Sequence, residues 1–142
     1  MRFLLLLSLL FSPLSFAGHH SESKNDQIIF LLDLEVIEGK ENQVDDLIDR
    51  LVDNVKKTEP GTIAYEYYAS SKDRIFLYEV YENHAAAEFH VDSFLQGDLM
   101  PIFVDTFRVL TFEVLGTTTD QLKVKMKDFT DDHRPKTKGF IR

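Results

Sequence analysis

Residues 62–89 read TIAYEYYASSKDRIFLYEVYENHAAAEF and change period twice. From Thr62 to Ala69 the residues alternate, with Ile63, Tyr65 and Tyr67 on one side. Ser70 to Asp73 is short and polar, a turn. Residues 74–82 alternate again, Phe76, Tyr78 and Val80 opposing Ile75, Leu77, Glu79 and Tyr81. Two β-rich runs joined by a short polar loop predict an antiparallel hairpin. Asn83 then supplies an N-cap side chain, and Ala85-Ala86-Ala87-Glu88-Phe89 has strong helix propensity.

Working outward in the N-terminal direction, Ile28 to Val36 alternates with Phe30, Leu32, Leu34 and Val36 on one side. Ile29, Leu31, Asp33 and Glu35 occupy the other, so both faces of this strand are expected to be partly covered. Residues 41–57 switch to the helical period: Val44, Leu47, Ile48, Leu51, Val52 and Val55 form one stripe. Pro60-Gly61 ends that helix. In the C-terminal direction the second helix is expected to loosen around Ser93, Gly97 and Pro101, with a further helical turn before a last strand from Phe107 to Leu115. Residues 117–142 are mostly polar and read as a partly extended C-terminal tail.

The order β-α-β-β-α-β predicts an α+β, ferredoxin-like fold: a four-stranded antiparallel sheet with both helices on one face, over residues 27–116. Apolar residues on both sides of the strands leave a second sheet face to cover. Face-to-face pairing of two sheets across a two-fold axis covers it, so a homodimer is expected.

The first 17 residues carry a separate message. Arg2 precedes an apolar run from Phe3 to Phe11 broken only by Ser8, and Ser15-Phe16-Ala17 places small residues at a cleavage site. The run is shorter than the ~20 apolar residues of a membrane span. A cleaved signal peptide over residues 1–17 is expected, followed by a flexible segment over 18–26, with a periplasmic or secreted location and no stable membrane insertion after cleavage.

The formal net charge of −8 argues against nucleic acid as a partner. With no cysteine among the 142 residues, disulfides, thiolate nucleophiles and Cys-ligated metals are excluded. No Ser-His-Asp elbow, P-loop or GxGxxG motif occurs.

Three blocks resemble the antibiotic biosynthesis monooxygenase family. Residues 59–66 (EPGTIAYE) resemble its helix-to-strand corner, residues 76–83 (FLYEVYEN) its third strand, and residues 85–93 (AAAEFHVDS) the helix that follows, with a His three residues before Ser. The resemblance spans about residues 27–116 and implies the dimeric α+β barrel. Known members include cofactor-free oxygenases of quinols and polyketide phenols. It therefore implies a monooxygenase, an oxidoreductase that takes a quinol-like or other small aromatic substrate with O2 and no cofactor. The chain departs from the family pattern in carrying Tyr81 where Trp is frequent, in lacking a second His after Ser93, and in having no Trp at all. The last departure argues against haem degradation.

Oxygenation without metal or flavin needs a deprotonated phenol, an apolar pocket and a base near neutral pH. Histidine has the matching unperturbed pKa, and His90 is the candidate catalytic base. Tyr65, Tyr67, Tyr81, Phe94 and Phe103 are candidates to line a substrate pocket, and Asp33, a charge in an apolar strand, is a candidate to orient an imidazole. Each also suits a plainer place: a half-buried His, core or rim tyrosines, phenylalanines of the core, an Asp facing solvent or a dimer seam. Glu79 equally suits a backbone or cross-strand bond. Cleavage after Ala17 would free Gly18-His19-His20, a start with the donor pattern for square-planar Cu(II) or simply an incidental polar start. Two further functions thus stand beside the oxygenase: a non-catalytic dimeric barrel binding a small apolar ligand, and an N-terminal copper-binding protein.

Overall fold

The computed structural model describes residues 26–140. The expected signal peptide and the Gly18, His19, His20 copper candidate lie outside them.

The elements follow the expected order. They are β1 (Ile28–Val36), α1 (Val44–Thr58), β2 (Thr62–Ala69), β3 (Arg74–Tyr81), α2 (His84–Gln96), α3 (Met100–Thr106) and β4 (Phe107–Leu115), followed by α4 (Asp120–Met126) and β5 (His133–Arg134). The sheet order is β2-β3-β1-β4-β5. The first four strands are antiparallel neighbours, as in the split βαβ arrangement, and the short β5 runs parallel to β4.

β1 occupies the centre, and its alternation shows why. Ile28, Phe30, Leu32, Leu34 and Val36 are all buried, while the residues between them are half-buried. The register sets Phe30 opposite Glu79 and Leu32 opposite Leu77, so Tyr81, Glu79, Leu77 and Ile75 share the core-facing side. Tyr65 and Tyr67 join that side from β2. α1 lays Val44, Leu47 and Leu51 onto the same core and also buries Val55. Asp45 and Asp46 in its first turn and Lys56 and Lys57 in its last complement the helix dipole. It begins at Val44 because residues 41–43 wind as a tighter 3-10 turn.

The Asn83 side chain accepts a hydrogen bond from the Ala86 amide at 2.9 Å, capping α2. Gly61 sets how closely α2 approaches the β2 corner: a Cβ there would stand 2.7 Å from the Cβ of Ala86. α2 stays helical through Ser93 to Gln96 and breaks at Gly97, and the expected further turn is α3, with Pro101 in its first turn.

Residues 117–140 depart from the expectation, made for 117–142, of a polar tail. Thr119 caps α4 by accepting from the Leu122 amide at 3.1 Å, and Leu122 and Met126 are fully buried in the common core. Lys125 pairs with Asp92 of α2 at 2.6 Å, and the Thr130 hydroxyl donates to the Phe112 carbonyl at 2.6 Å. Among the described residues the sheet has five strands and is mixed, where four antiparallel strands were expected. A seven-residue helix burying two side chains one turn apart is too short for periodicity to reveal.

Candidate functional site

Where the helices lean over the sheet, a cavity of about 210 Å³ remains. A cavity of ~150 Å³ takes a benzene ring. Its walls are mostly aromatic and aliphatic: Phe30 and Leu32 of β1, Leu77 of β3, Phe112 of β4, Val91 and Phe94 of α2, Phe103 of α3. Met126, Asp128 and Phe129, from α4 and the turn after it, close one side. Three polar side chains of the central elements reach it: Tyr65, Glu79 and His90.

His90 sits on the buried face of α2, 6% exposed. Its Nδ1 lies 2.8 Å from Glu59 Oε2. Its Nε2 stands 3.8 Å from Glu79 Oε2, beyond hydrogen-bond reach. Glu59 occupies the corner between α1 and β2 and also accepts from the Thr62 hydroxyl at 3.0 Å. Glu79 accepts from the Tyr81 hydroxyl at 2.6 Å. Both carboxylates are almost fully buried, at 4% and 3% exposure. One imidazole thus lies between two buried carboxylates, hydrogen-bonded to Glu59 and within Coulombic range of Glu79.

Burial alone would lower the proton affinity of His90, but the charge of Glu79 and the hydrogen bond and charge of Glu59 outweigh it, and its pKa is raised. Burial raises the Glu79 carboxyl, with the His90 charge and the Tyr81 hydrogen bond pulling the other way. Tyr65, Tyr67 and Tyr81 are raised chiefly by burial and remain neutral phenols at ordinary pH. With its Nδ1–H donated to the Glu59 carboxylate, neutral His90 carries its free lone pair on Nε2. The second-row link Glu59–His90 holds the ring orientation as the carboxylate of a catalytic triad does.

The raised pKa values set the sign of a pH effect. A group that binds its proton more tightly when folded adds stability below its unfolded pKa and loses it as pH rises through the folded value. The unfolded references are 4.5 for Glu79 and 6.5 for His90. The cluster's contribution therefore declines as pH rises above 6.5. Thermal unfolding followed from about pH 6 to about pH 9 should show a falling midpoint, and a smaller fall in Glu79→Gln, which lacks the charge that does most to raise His90.

The sequence candidates divide. His90, Tyr65, Phe94 and Phe103 all line the cavity. Tyr67 lies beside it and is tied to Tyr65, hydroxyl to hydroxyl, at 3.0 Å. Tyr81 is fully buried, its ring edge-on to Phe30 at 5.0 Å, and acts on Glu79 rather than on a ligand. Asp33 is not the partner of the imidazole. It lies on the opposite face of β1, paired across the strands with Phe76 and Thr111, and forms an ion pair with Arg74. The carboxylates that hold His90 are Glu59 and Glu79. Strand parity identifies Glu79, which alternates in phase with the apolar Ile75 and Leu77. Glu59 has no comparable signal, since Glu59-Pro60-Gly61 reads as a helix stop.

A family model described as antibiotic biosynthesis monooxygenase matches residues 28–107. Among solved structures, MupZ from Pseudomonas fluorescens aligns with a TM-score of 0.74 at 17% identity, over 83% of this chain and 96% of its own. A conserved protein from Methanosarcina mazei aligns at 0.58 and 14% identity, over 67% of this chain and 96% of its own. SnoaB, a cofactor-independent oxygenase from Streptomyces nogalater, aligns at 0.54 and 11% identity, over 66% and 95%. These likenesses are of fold. No curated protein sequence matches the chain. The family model covers more than half the chain, across β1 to the start of β4 and including the Glu59–His90–Glu79 cluster, and the chain belongs to the antibiotic biosynthesis monooxygenase family.

Proposed function

We propose that the protein is an exported, cofactor-independent monooxygenase that oxidises a small quinol or phenol with O2. The observation that carries this reading is His90 Nε2, free of a hydrogen-bond partner within reach of Glu79, at the wall of an apolar cavity large enough for an aromatic ring. Phe94 and Phe103 stand edge to face at 5.3 Å and offer the flat ring its contacts.

In this reading Nε2 removes the phenolic proton, breaking one O–H bond and forming one N–H bond. The imidazolium is held by Glu59 on one side and the field of Glu79 on the other. The phenolate is then electron-rich enough to reduce O2 directly. For a hydroquinone the overall reaction converts quinol and O2 to hydroxyquinone and water, one oxygen atom entering the ring and the other leaving in water. The apolar walls keep bulk water from the phenolate. Because the pKa of His90 is raised, the neutral base is scarce at low pH, and the rate is expected to climb as pH rises above 6.5.

The test is oxygen uptake by the mature protein with a panel of hydroquinones and naphthols. Uptake above the autoxidation background, with hydroxylated quinone as product, supports the reading. Background-level uptake across the panel removes it and leaves a dimeric barrel that binds a small apolar ligand.

Two further parts of the proposal have their own tests. The helix-free face of the sheet presents Ile29, Leu31, Tyr78 and, 38% exposed, Phe76, an apolar surface suited to a second copy. Sedimentation should give twice the chain mass, and Phe76→Glu should give the single mass. Export is carried by the leader pattern of residues 1–17. The mass of the secreted or periplasmic chain should correspond to a start at Gly18.

A further inference from the structure

His90 is a partition between two cavities. On one side lies the apolar pocket described above. On the other is a second cavity of about 260 Å³, reached by the polar side chains of Arg50, Asn54, Ser93 and Asp98. The two carboxylates divide between them. Glu79 lines the apolar cavity and Glu59 lines the polar one, while the His90 ring lines both. Each ring nitrogen therefore has its own side: Nε2 lies toward Glu79, and Nδ1 is hydrogen-bonded to Glu59.

We propose that Glu59 is a proton-relay and positioning residue that connects the base to solvent through the polar cavity, behind the substrate. The proposal rests on the reading of His90 as the base. An apolar pocket filled by an aromatic ring gives the imidazolium no route for proton exchange on the substrate side. The polar cavity is roomy enough for several waters and lined by groups that hydrogen-bond them. Once Nε2 has taken the phenolic proton, the imidazolium releases its Nδ1 proton by way of Glu59 Oε2 to water in the cavity: the Nδ1–H bond breaks, the water is protonated, and Glu59 ends as the carboxylate it began. When Nε2 gives its proton back to a departing oxygen, the reverse transfer restores Nδ1–H. Atoms and charge balance in both directions, and no further reactant is needed.

The groups that face His90 are Glu59 at the end of α1, Glu79 and Tyr81 of β3 and Tyr65 of β2. Arg50 and Asp98 are the charged groups further out in the polar cavity. Glu59 is the one of these with a hydrogen bond to the ring and a place in the polar cavity. Its hydroxyl partner Thr62 fixes the same oxygen, Oε2, that meets Nδ1.

Two readouts test the relay. The first is a nitrogen NMR titration of the His90 ring in wild type and Glu59→Gln, without substrate. The proton affinity of His90 is expected to fall about tenfold or more when the carboxylate charge is removed. The second is steady-state kinetics of Glu59→Ala. Its kcat is expected to fall roughly tenfold or more with KM within about twofold, and added formate, small enough for the polar cavity, should restore it. Glu79→Ala, whose vacancy opens on the apolar pocket, should not be restored. A His90 titration indifferent to Glu59→Gln, or a Glu59→Ala enzyme at the wild-type rate, overturns the relay alone while the oxygenase stands. Wild type without oxygen uptake overturns the base and the relay together, even where the titration moves as expected.

Discussion

His90→Ala is expected to lower oxygen uptake about 10²-fold or more, the loss that follows removal of a general base. The truncation also leaves Glu59 and Glu79 buried with no imidazole between them, so loss of rate and loss of fold must be separated. His90→Gln does this. Its amide can still donate to Glu59 where Nδ1 does, at 2.8 Å in wild type, yet it has no nitrogen that accepts a proton near neutral pH. His90→Gln should bind a non-reacting naphthalene-like ligand with affinity close to wild type, because Phe94, Phe103 and the other apolar walls keep their side chains. Equal rates in wild type and His90→Gln would sink the assignment of the base. Loss of rate and ligand binding together would instead indicate that His90 shapes the pocket.

Leu122→Ala should destabilise the fold by roughly 2–5 kcal/mol, the range for deleting a fully buried leucine side chain. Leu122 has 0% of its surface exposed. Val124, two residues away on the same helix, is 66% exposed, and Val124→Ala should change stability by no more than about 0.5 kcal/mol. Chemical denaturation of the two variants decides between a docked α4 and a peripheral tail. Equal, small effects would mean that residues 117–140 contribute nothing to the core.

The fold was legible because period and length agreed. β1 and β3 alternate, α1 carries an uninterrupted stripe, and Gly39, Pro60-Gly61 and Gly116 fall at the breaks. β2 alternates only from Ala64, because a register shift between Thr62 and Ala64 leaves Ile63 exposed and not on one side with Tyr65 and Tyr67. α4 and β5 were not legible, since a helix of about two turns and a two-residue strand are too short for a period to be read. The site was half legible. His90 stood out as an imidazole in an alanine-rich helix, and Phe94, one turn on, followed the same face. The orienting carboxylate was expected at Asp33, on the ground that a charge in an apolar strand is unusual. That criterion fits Glu79 as well, and strand parity separates the two. Asp33 belongs to the half-buried side of β1, where Arg74 neutralises it, and Glu79 to the buried side of β3. Glu59 depends on how closely α2 comes to the α1–β2 corner, a distance no local pattern encodes.

That distance is fixed by a residue with no side chain. Glu59 belongs to the corner and His90 to α2, one helical turn beyond Ala86. At the contact between these two bodies, Gly61 meets Ala86 with no room for a methyl group, and a carboxylate oxygen of Glu82 closes the space at 3.0 Å from the same point. Any larger residue at position 61 would wedge the helix outward and lengthen the 2.8 Å bond between Glu59 and His90 without touching either. The protein's tolerance for change in its chemistry is thus governed by a position that takes no part in it. Redesign of the pocket for larger rings can begin at the half-buried Phe94 but must leave Gly61 in place.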